Sequence, residues 1–325
     1  MNIPDFQNEP LGNMVSIGAV TSHSCRIWIR ADEPGPHRIE VHRADWAYQA
    51  GTREFDIPAG NAHDNTHCLQ LPFDAGRALE PLTSYQFRVF RKADGKLIGA
   101  GGFETSPDSP EDCPERFSLA LMSCNQPFRS DGSIHPKSQT MLRAAQKVML
   151  RHNCKMVFTA GDQMYADMPR AMSLFDDDYF RHLAPAGRER ILDCSPEEVR
   201  RLYQRRYRHF FAPSEWREIH EQWPCYPILD DHEILDNWGS IAEHQQPEWQ
   251  SVWRGARASY CDYQASRVLD NALERDHFGY PVDYGTIAAY VVDLRSNRRA
   301  NGGGLMSEAQ FSDLEHFLKT NAHKQ

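Results

Sequence analysis

A small all-β unit followed by an α/β unit is the fold class predicted for this chain, and three observations predict it. Short apolar-alternating runs broken by turn residues fill residues 15 to 105. A stretch rich in Pro, Ser and Asp then interrupts the pattern. Beyond it, short buried-strand patterns alternate with helical spacing, the order of βαβ units. The 325 residues are enough for two such units, and 25% charged with 40% hydrophobic residues is the make-up of a globular chain with a sizeable core.

In the first unit, Ser24-Cys25-Arg26-Ile27-Trp28-Ile29-Arg30 and His37-Arg38-Ile39-Glu40-Val41-His42 read as half-buried strands. Leu79 to Val89 has a proline-led turn at Pro81 and then Tyr85 entering an alternating strand, the layout of a tyrosine corner, whose hydroxyl bonds back to upstream backbone. Residues 10–106 are therefore predicted to form a fibronectin-III-like β-sandwich. His63 and His67, near Cys68, lack a fourth ligand at sensible spacing for a metal and are read as a surface turn.

Ser106-Pro107-Asp108-Ser109-Pro110-Glu111-Asp112-Cys113-Pro114 can neither pair into a sheet nor propagate a helix, so it reads as the linker. The α/β unit, 115–325, opens with an apolar run at Phe117 to Met122. Helical spacing follows over Ser138 to Leu150, then a buried strand at Met156 to Ala160. Ser195-Pro196-Glu197-Glu198 starts a helix with an N-cap serine, an N1 proline and first-turn acids, continuing to Phe211. Its Arg205, Arg206 and Arg208, interleaved with aromatics, read as a packed amphipathic helix lining the site entrance rather than a nucleic-acid surface. Tyr226 to Leu229 and Ile287 to Val292 read as core strands, and Ser307 to Gln310 as a capping-box start for a last helix.

The formal charge of −9 gives no general attraction to nucleic acid or an anionic membrane. There is neither a signal-like N-terminus nor a span of roughly 20 apolar residues, so the reading is a cytoplasmic chain or a mature form of an exported one. The eight cysteines stand singly with no CxxC pair, which excludes a disulfide-stapled scaffold.

Four polar clusters follow directly on predicted strands, where open α/β sheets place their sites. They are Ser123-Cys124-Asn125-Gln126, Gly161-Asp162-Gln163-Met164-Tyr165-Ala166-Asp167, Asp230-Asp231-His232-Glu233 with Asn237 beyond, and Asp293-Leu294-Arg295-Ser296-Asn297-Arg298-Arg299. Hydrolysis of a phosphoester needs a cation to lower the pKa of water, positive charge on the phosphoryl oxygens and an acid for the leaving alkoxide. Asp162 can bridge two metals through its two oxygens and Tyr165 can reach the same metal as phenolate. Ferric iron suits these hard donors, and a Cys124 thiolate adds a softer one. His232, beside carboxylates, is the natural proton donor.

These motifs, in this order, resemble the PhoD-like alkaline phosphatases, a branch of the calcineurin-like metallophosphoesterases. Gly161-Asp162-x-x-Tyr165 matches the shared Gly-Asp-x-x-Tyr motif, Ser123-Cys124-Asn125 the strand-end cysteine, and Asp230-Asp231-His232-Glu233 the family's version of Gly-Asn-His-Asp/Glu. The resemblance implies that Cys124, Asp162 and Tyr165 ligate iron (Fe3+), that Asp162 and Asp231 face a second divalent metal, often calcium, and that His232 is the acid. It places Arg295 and Arg298 at the phosphate or as braces, and implies a phosphomonoester or phosphodiester substrate. The family's further Gly-Asp-x-His motif is absent after Asp293. The expectation is therefore an incomplete metallophosphoesterase sandwich truncated at its C-terminus, with a catalytically incomplete metal- or partner-binding chain as the alternative. A half-built sandwich is expected to expose one face of its sheet.

Overall fold

Alternating apolar residues in the first third form two packed antiparallel sheets in the computed structural model, which describes residues 3–44, 49–74, 78–300 and 302–324. The strands are β1 (Met14–Val20), β2 (Cys25–Arg30), β3 (Gly35–Arg43), β4 (Gln49–Ile57), β5 (Thr66–Leu71), β6 (Ser84–Arg91) and β7 (Leu97–Glu104). One sheet has the order β1-β2-β5 and the other β4-β3-β6-β7. In β6, Tyr85, Phe87 and Val89 are buried while Gln86 and Arg88 are exposed, the period-2 pattern of a strand with one face on a core. The Tyr85 hydroxyl accepts from the Glu80 backbone N–H at 3.0 Å, the bond of a tyrosine corner.

The α/β unit is built on β8 (Leu119–Met122), β9 (Met156–Ala160) and β10 (Cys225–Ile228). These run parallel in the order β10-β9-β8, and β11 (Tyr280–Tyr284) and β12 (Ile287–Val291) form a separate antiparallel hairpin. The helices are α1 (Pro136–Arg151), α2 (Asp177–Leu183), α3 (Pro196–Phe210), α4 (Ser214–Gln222), α5 (Gln250–Tyr263) and α6 (Glu308–Thr320). Ser195 caps α3 as its sequence implies: its hydroxyl accepts from Glu198 N at 3.3 Å and Glu198 accepts from Ser195 N at 2.7 Å.

Three expectations are corrected. The run at Ile287 is a half-buried hairpin strand rather than a core strand, because it pairs with β11 and not with the parallel sheet. Gln310 does not close a capping box on α6; its amide accepts from Asp293 N and donates to Asp293 O, both at 2.7 Å. Rather than lining an entrance, α3 is a core helix: Arg206 is 2% exposed, lies over the Phe6 ring and donates to the Ala166 and Met172 carbonyls. The turn at His63 is a surface turn as expected, with the His63 side chain exposed, and it borders a seam between the units, its Nδ1 standing 2.9 Å from Asp262 Oδ1.

That seam is broad. Asp262 is buried, takes hydrogen bonds from Arg200 and Gln204, and its backbone oxygen accepts from the Trp28 indole at 2.7 Å. The Ser16 hydroxyl meets His220 Nδ1 at 2.9 Å, and the Tyr226 hydroxyl accepts from Val20 N at 3.1 Å. Trp28 and Met14 belong to the core of the α/β unit rather than to that of the sandwich. On the opposite side, β8 is an edge strand in that sheet, with Leu121 70% exposed and Met141 and Val148 of α1 also in solvent.

Candidate metal centre

Parallel strands end on one side of a sheet, so the turns after β8, β9 and β10 converge there. Each of the three loops contains a non-glycine residue in the left-handed region: Cys124 at φ 58°, Asp162 at φ 56° and Asn237 at φ 60°. Such backbone is uncommon outside glycine and clusters where a site needs a particular side-chain aim. Gly161, at φ +80°, lets the β9 and β10 turns touch, since a Cβ there would stand 2.3 Å from that of Asp230. The β8 turn is tied in by Cys124 N–H to Gly161 O at 3.3 Å and by Asn125 N–H to Asp162 O at 2.7 Å.

This backbone brings together five of the side chains singled out from the sequence. Cys124 Sγ lies 3.4 Å and the Tyr165 hydroxyl 3.5 Å from Asp162 Oδ2. Asp162, Asp231 and His232 each offer a ligand atom, all within 4.8 Å of one another. Cys124 is the exposed cysteine of the eight, so its thiol is accessible at the site while the others are wholly or partly covered.

The electrostatics are those of crowded anions. Burial raises the Asp162 carboxyl above the ordinary carboxylate range, His232 opposes that rise, and repulsion from Asp231 and Asp230 adds to it. Burial first, then the negative charge of Asp162 and Cys124, pushes the Tyr165 phenol well up. Burial alone would lower His232, but the hydrogen bond and charge of Asp167, with Asp162 and Asp231 behind it, raise it to about 9. Thiol, phenol and two carboxylates converging on a few ångströms repel one another when ionised, and a multivalent cation turns that repulsion into ligation. The donor set, mixed oxygen and sulfur, fits a transition metal beside a harder ion.

Two residues quoted only as parts of motifs turn out to organise the site. Glu233 is completely buried, and its carboxylate accepts from three backbone N–H groups: Asp162 at 2.9 Å, Gln163 at 2.6 Å and Asp230 at 2.9 Å. It thus clamps the β9 turn to the β10 turn. Burial, followed by repulsion from Asp162, raises it to about 7, against the pull of those same N–H groups. Asp167 takes His232 Nδ1 at 2.8 and 3.0 Å and accepts from Asp236 N at 2.9 Å, leaving Nε2 free of a close partner. The signal that could have exposed Glu233 was its position directly before the apolar Ile234-Leu235, where a solvated loop is not expected.

Arg295 reaches the same loops with its hydrogen-bonding edges engaged. Nε pairs with Asp230, Nη2 lies 3.5 Å from Asp231 Oδ2, and Nη1 donates to Trp238 O at 3.2 Å. Asn237 contributes its backbone N–H to Asp231 Oδ2 at 2.7 Å. Arg298 has no such contact with this group and lines a neighbouring cavity together with Trp238.

A family model described as PhoD-like phosphatase matches residues 119–321. Among solved structures, one described as the structure of PhoD superposes with a TM-score of 0.68 at 18% identity, covering 98% of this chain and 61% of that one. This chain therefore spans about 61% of the length of that structure, and the likeness is one of fold. The FN5 domain of Drosophila Lar aligns over 31% of this chain and 100% of its own length at 16% identity, with a TM-score of 0.21 too low to support an argument. No curated protein matches. No helix among the described residues is long and apolar enough to cross a membrane.

Proposed function

Because this chain belongs to the PhoD-like phosphatase family, we propose that it hydrolyses phosphomonoesters or phosphodiesters at a centre holding ferric iron and a second divalent metal, calcium by the family resemblance. The observation that carries the reading is the convergence of Cys124, Asp162, Tyr165, Asp231 and His232 at the ends of three parallel strands. When bound, the metals supply Lewis acidity, lowering the pKa of water and neutralising phosphoryl oxygens. Cys124, Asp162 and Tyr165 are the proposed iron ligands, and Asp162 with Asp231 those of the second ion.

His232 is the proposed general acid. With Nδ1 held by Asp167, the proton it delivers to a leaving alkoxide is on Nε2, the nitrogen without a close partner. Asp167 supports this role twice, by fixing the ring and by favouring its protonated form. Arg295 is given a positioning role rather than direct contact with phosphate; the support is that Asp230, Asp231 and the Trp238 carbonyl already occupy its guanidinium.

Turnover of bis(p-nitrophenyl) phosphate by iron- and calcium-loaded protein tests the reading. Asp162→Asn keeps shape and removes a charged bridging ligand, so activity should fall by at least about a hundredfold. Tyr165→Phe should remove any visible absorption from iron bound to phenolate. Metal uptake without turnover by the unaltered chain would instead favour a metal-binding protein without catalysis. Unchanged activity in Asp162→Asn would sink the assignment of that residue.

A further inference from the structure

We infer that the cavity beside the metal centre is a second anion subsite, and that the substrate is an ester carrying another phosphate-class group besides the one hydrolysed. The inference rests on the phosphoesterase reading above and adds the substrate class to it. The cavity measures about 510 Å³ and is lined by five arginines against two carboxylates. In a chain of net charge −9 such a concentration of positive charge is local and opposed to the general field.

Its position ties it to the centre. The N–H of Asn237 holds Asp231, and the next two residues, Trp238 and Gly239, line the cavity. From the other side, Arg295 braces Asp230 and Asp231, and Ser296 to Arg299 continue directly into the cavity wall.

The chemistry selects the ligand. The side chains of Arg254, Arg298 and Arg299 make no hydrogen bond or ion pair to any described residue. They keep their donors for a guest, and arginine matches phosphate oxygens with paired N–H groups. Arg257, by contrast, is built into the wall, donating to the Leu273 and Arg275 carbonyls. Trp238 and Trp253 stack at 5.9 Å with 17° between their planes and offer an aromatic wall beside the cations. Open arginines beside an aromatic wall suit a phosphate borne on a ring, and a neutral or singly charged ester leaves the arginines unused.

Two measurements test this on the full chain loaded with metal. The first compares KM for thymidine 5′-(p-nitrophenyl phosphate) and for the same compound bearing a 3′-phosphate. The unaltered protein should favour the second by about tenfold or more, and Arg254→Ala with Arg299→Ala should bring the KM ratio back toward one, each removal contributing up to about tenfold. An equal KM in the unaltered protein, or a preference that survives both substitutions, overturns the subsite. The second is equilibrium binding of inorganic tripolyphosphate to metal-free protein, which needs no turnover. Affinity that falls steeply with salt and is lost in the double variant supports the subsite even if no ester is hydrolysed, in which case it is the phosphoesterase reading that fails. Absence of tripolyphosphate binding overturns the subsite whatever the activity. Competition by thymidine 3′,5′-bisphosphate at matched charge separates a ring-borne phosphate from a bare polyanion.

Discussion

Replacing Glu233 with Gln changes one atom and should disable the site from behind. The carboxylate holds three backbone N–H groups with two oxygens: Oε2 serves Asp162 and Asp230, and Oε1 serves Gln163 with Gln264 Nε2 at 3.4 Å. A glutamine keeps only one acceptor oxygen. Set in the place of Oε2, it keeps two backbone bonds and turns its own NH2 against the Gln163 N–H and the Gln264 amide. Set the other way, it loses the Asp162 N–H bond, one of the two that join the β9 and β10 turns, and the Asp230 N–H bond that closes the β10 turn on itself. Each buried donor left without an acceptor costs about 1–3 kcal/mol, so roughly 2–5 kcal/mol of stability should be lost, partly offset by no longer burying a charge. Because the two turns carry Asp162 and Asp231, the metal affinity should drop about 10- to 100-fold, the usual effect of losing a residue that orients ligands. Urea unfolding measures the first quantity, and calorimetric titration of iron or calcium into metal-free protein the second. If Glu233→Gln binds metal within twofold of the unaltered chain and unfolds at the same urea concentration, the clamp does not exist and the convergence of the turns has another cause.

Two further outcomes follow from the same structure. Burial, then the neighbouring Arg205, lowers His209 to about 4, and burial, then Arg267, holds His220 well below the ordinary imidazole range. Both are neutral when folded and take a proton below pH 6.5 when unfolded, so stability should fall as pH drops from about 6.5 toward 4, by roughly 2–3 kcal/mol for His209 at 1.36 kcal/mol per pH unit. Urea midpoints at pH 7, 5.5 and 4.5 read this, His209→Gln should flatten the slope, and a midpoint independent of pH refutes it. Asp262→Ala leaves Arg200 and Gln204 facing an empty seam, at a cost of about 3–5 kcal/mol. Thermal unfolding should show the loss, and an unchanged transition would mean that the seam does not stabilise the two units.

The legible parts of this protein were those governed by local chemistry. Strand alternation around Tyr85, the N-cap at Ser195 and the positions of Cys124, Asp162, Tyr165, Asp231 and His232 after apolar runs are all short-range patterns, and each depends only on neighbours within a few residues. The hairpin at Ile287 escaped because its burial is decided by which strand it pairs with. Gln310 escaped because a distant peptide, that of Asp293, competes for the amide that would otherwise close the cap. The aromatic helix at Tyr203 reads as an entrance helix because arginine normally seeks solvent, and only packing under Phe6 and the Ala166 and Met172 carbonyls keeps Arg206 inside.

By itself the sequence determined the β-rich unit, the α/β unit, their order and the polar side chains that follow the strands, since periodicity, turn residues and side-chain chemistry are written residue by residue. Tertiary structure alone decided how those side chains meet. The left-handed turns at Cys124 and Asp162, the missing Cβ of Gly161 and the buried carboxylate of Glu233 act between strands whose ends are tens of residues apart along the chain. It likewise decided that Arg295 turns toward Asp230 while Arg298, three residues on, opens into a separate cavity. Adjacent positions in a loop share a composition but not a direction, and direction is set by what the fold packs on either side.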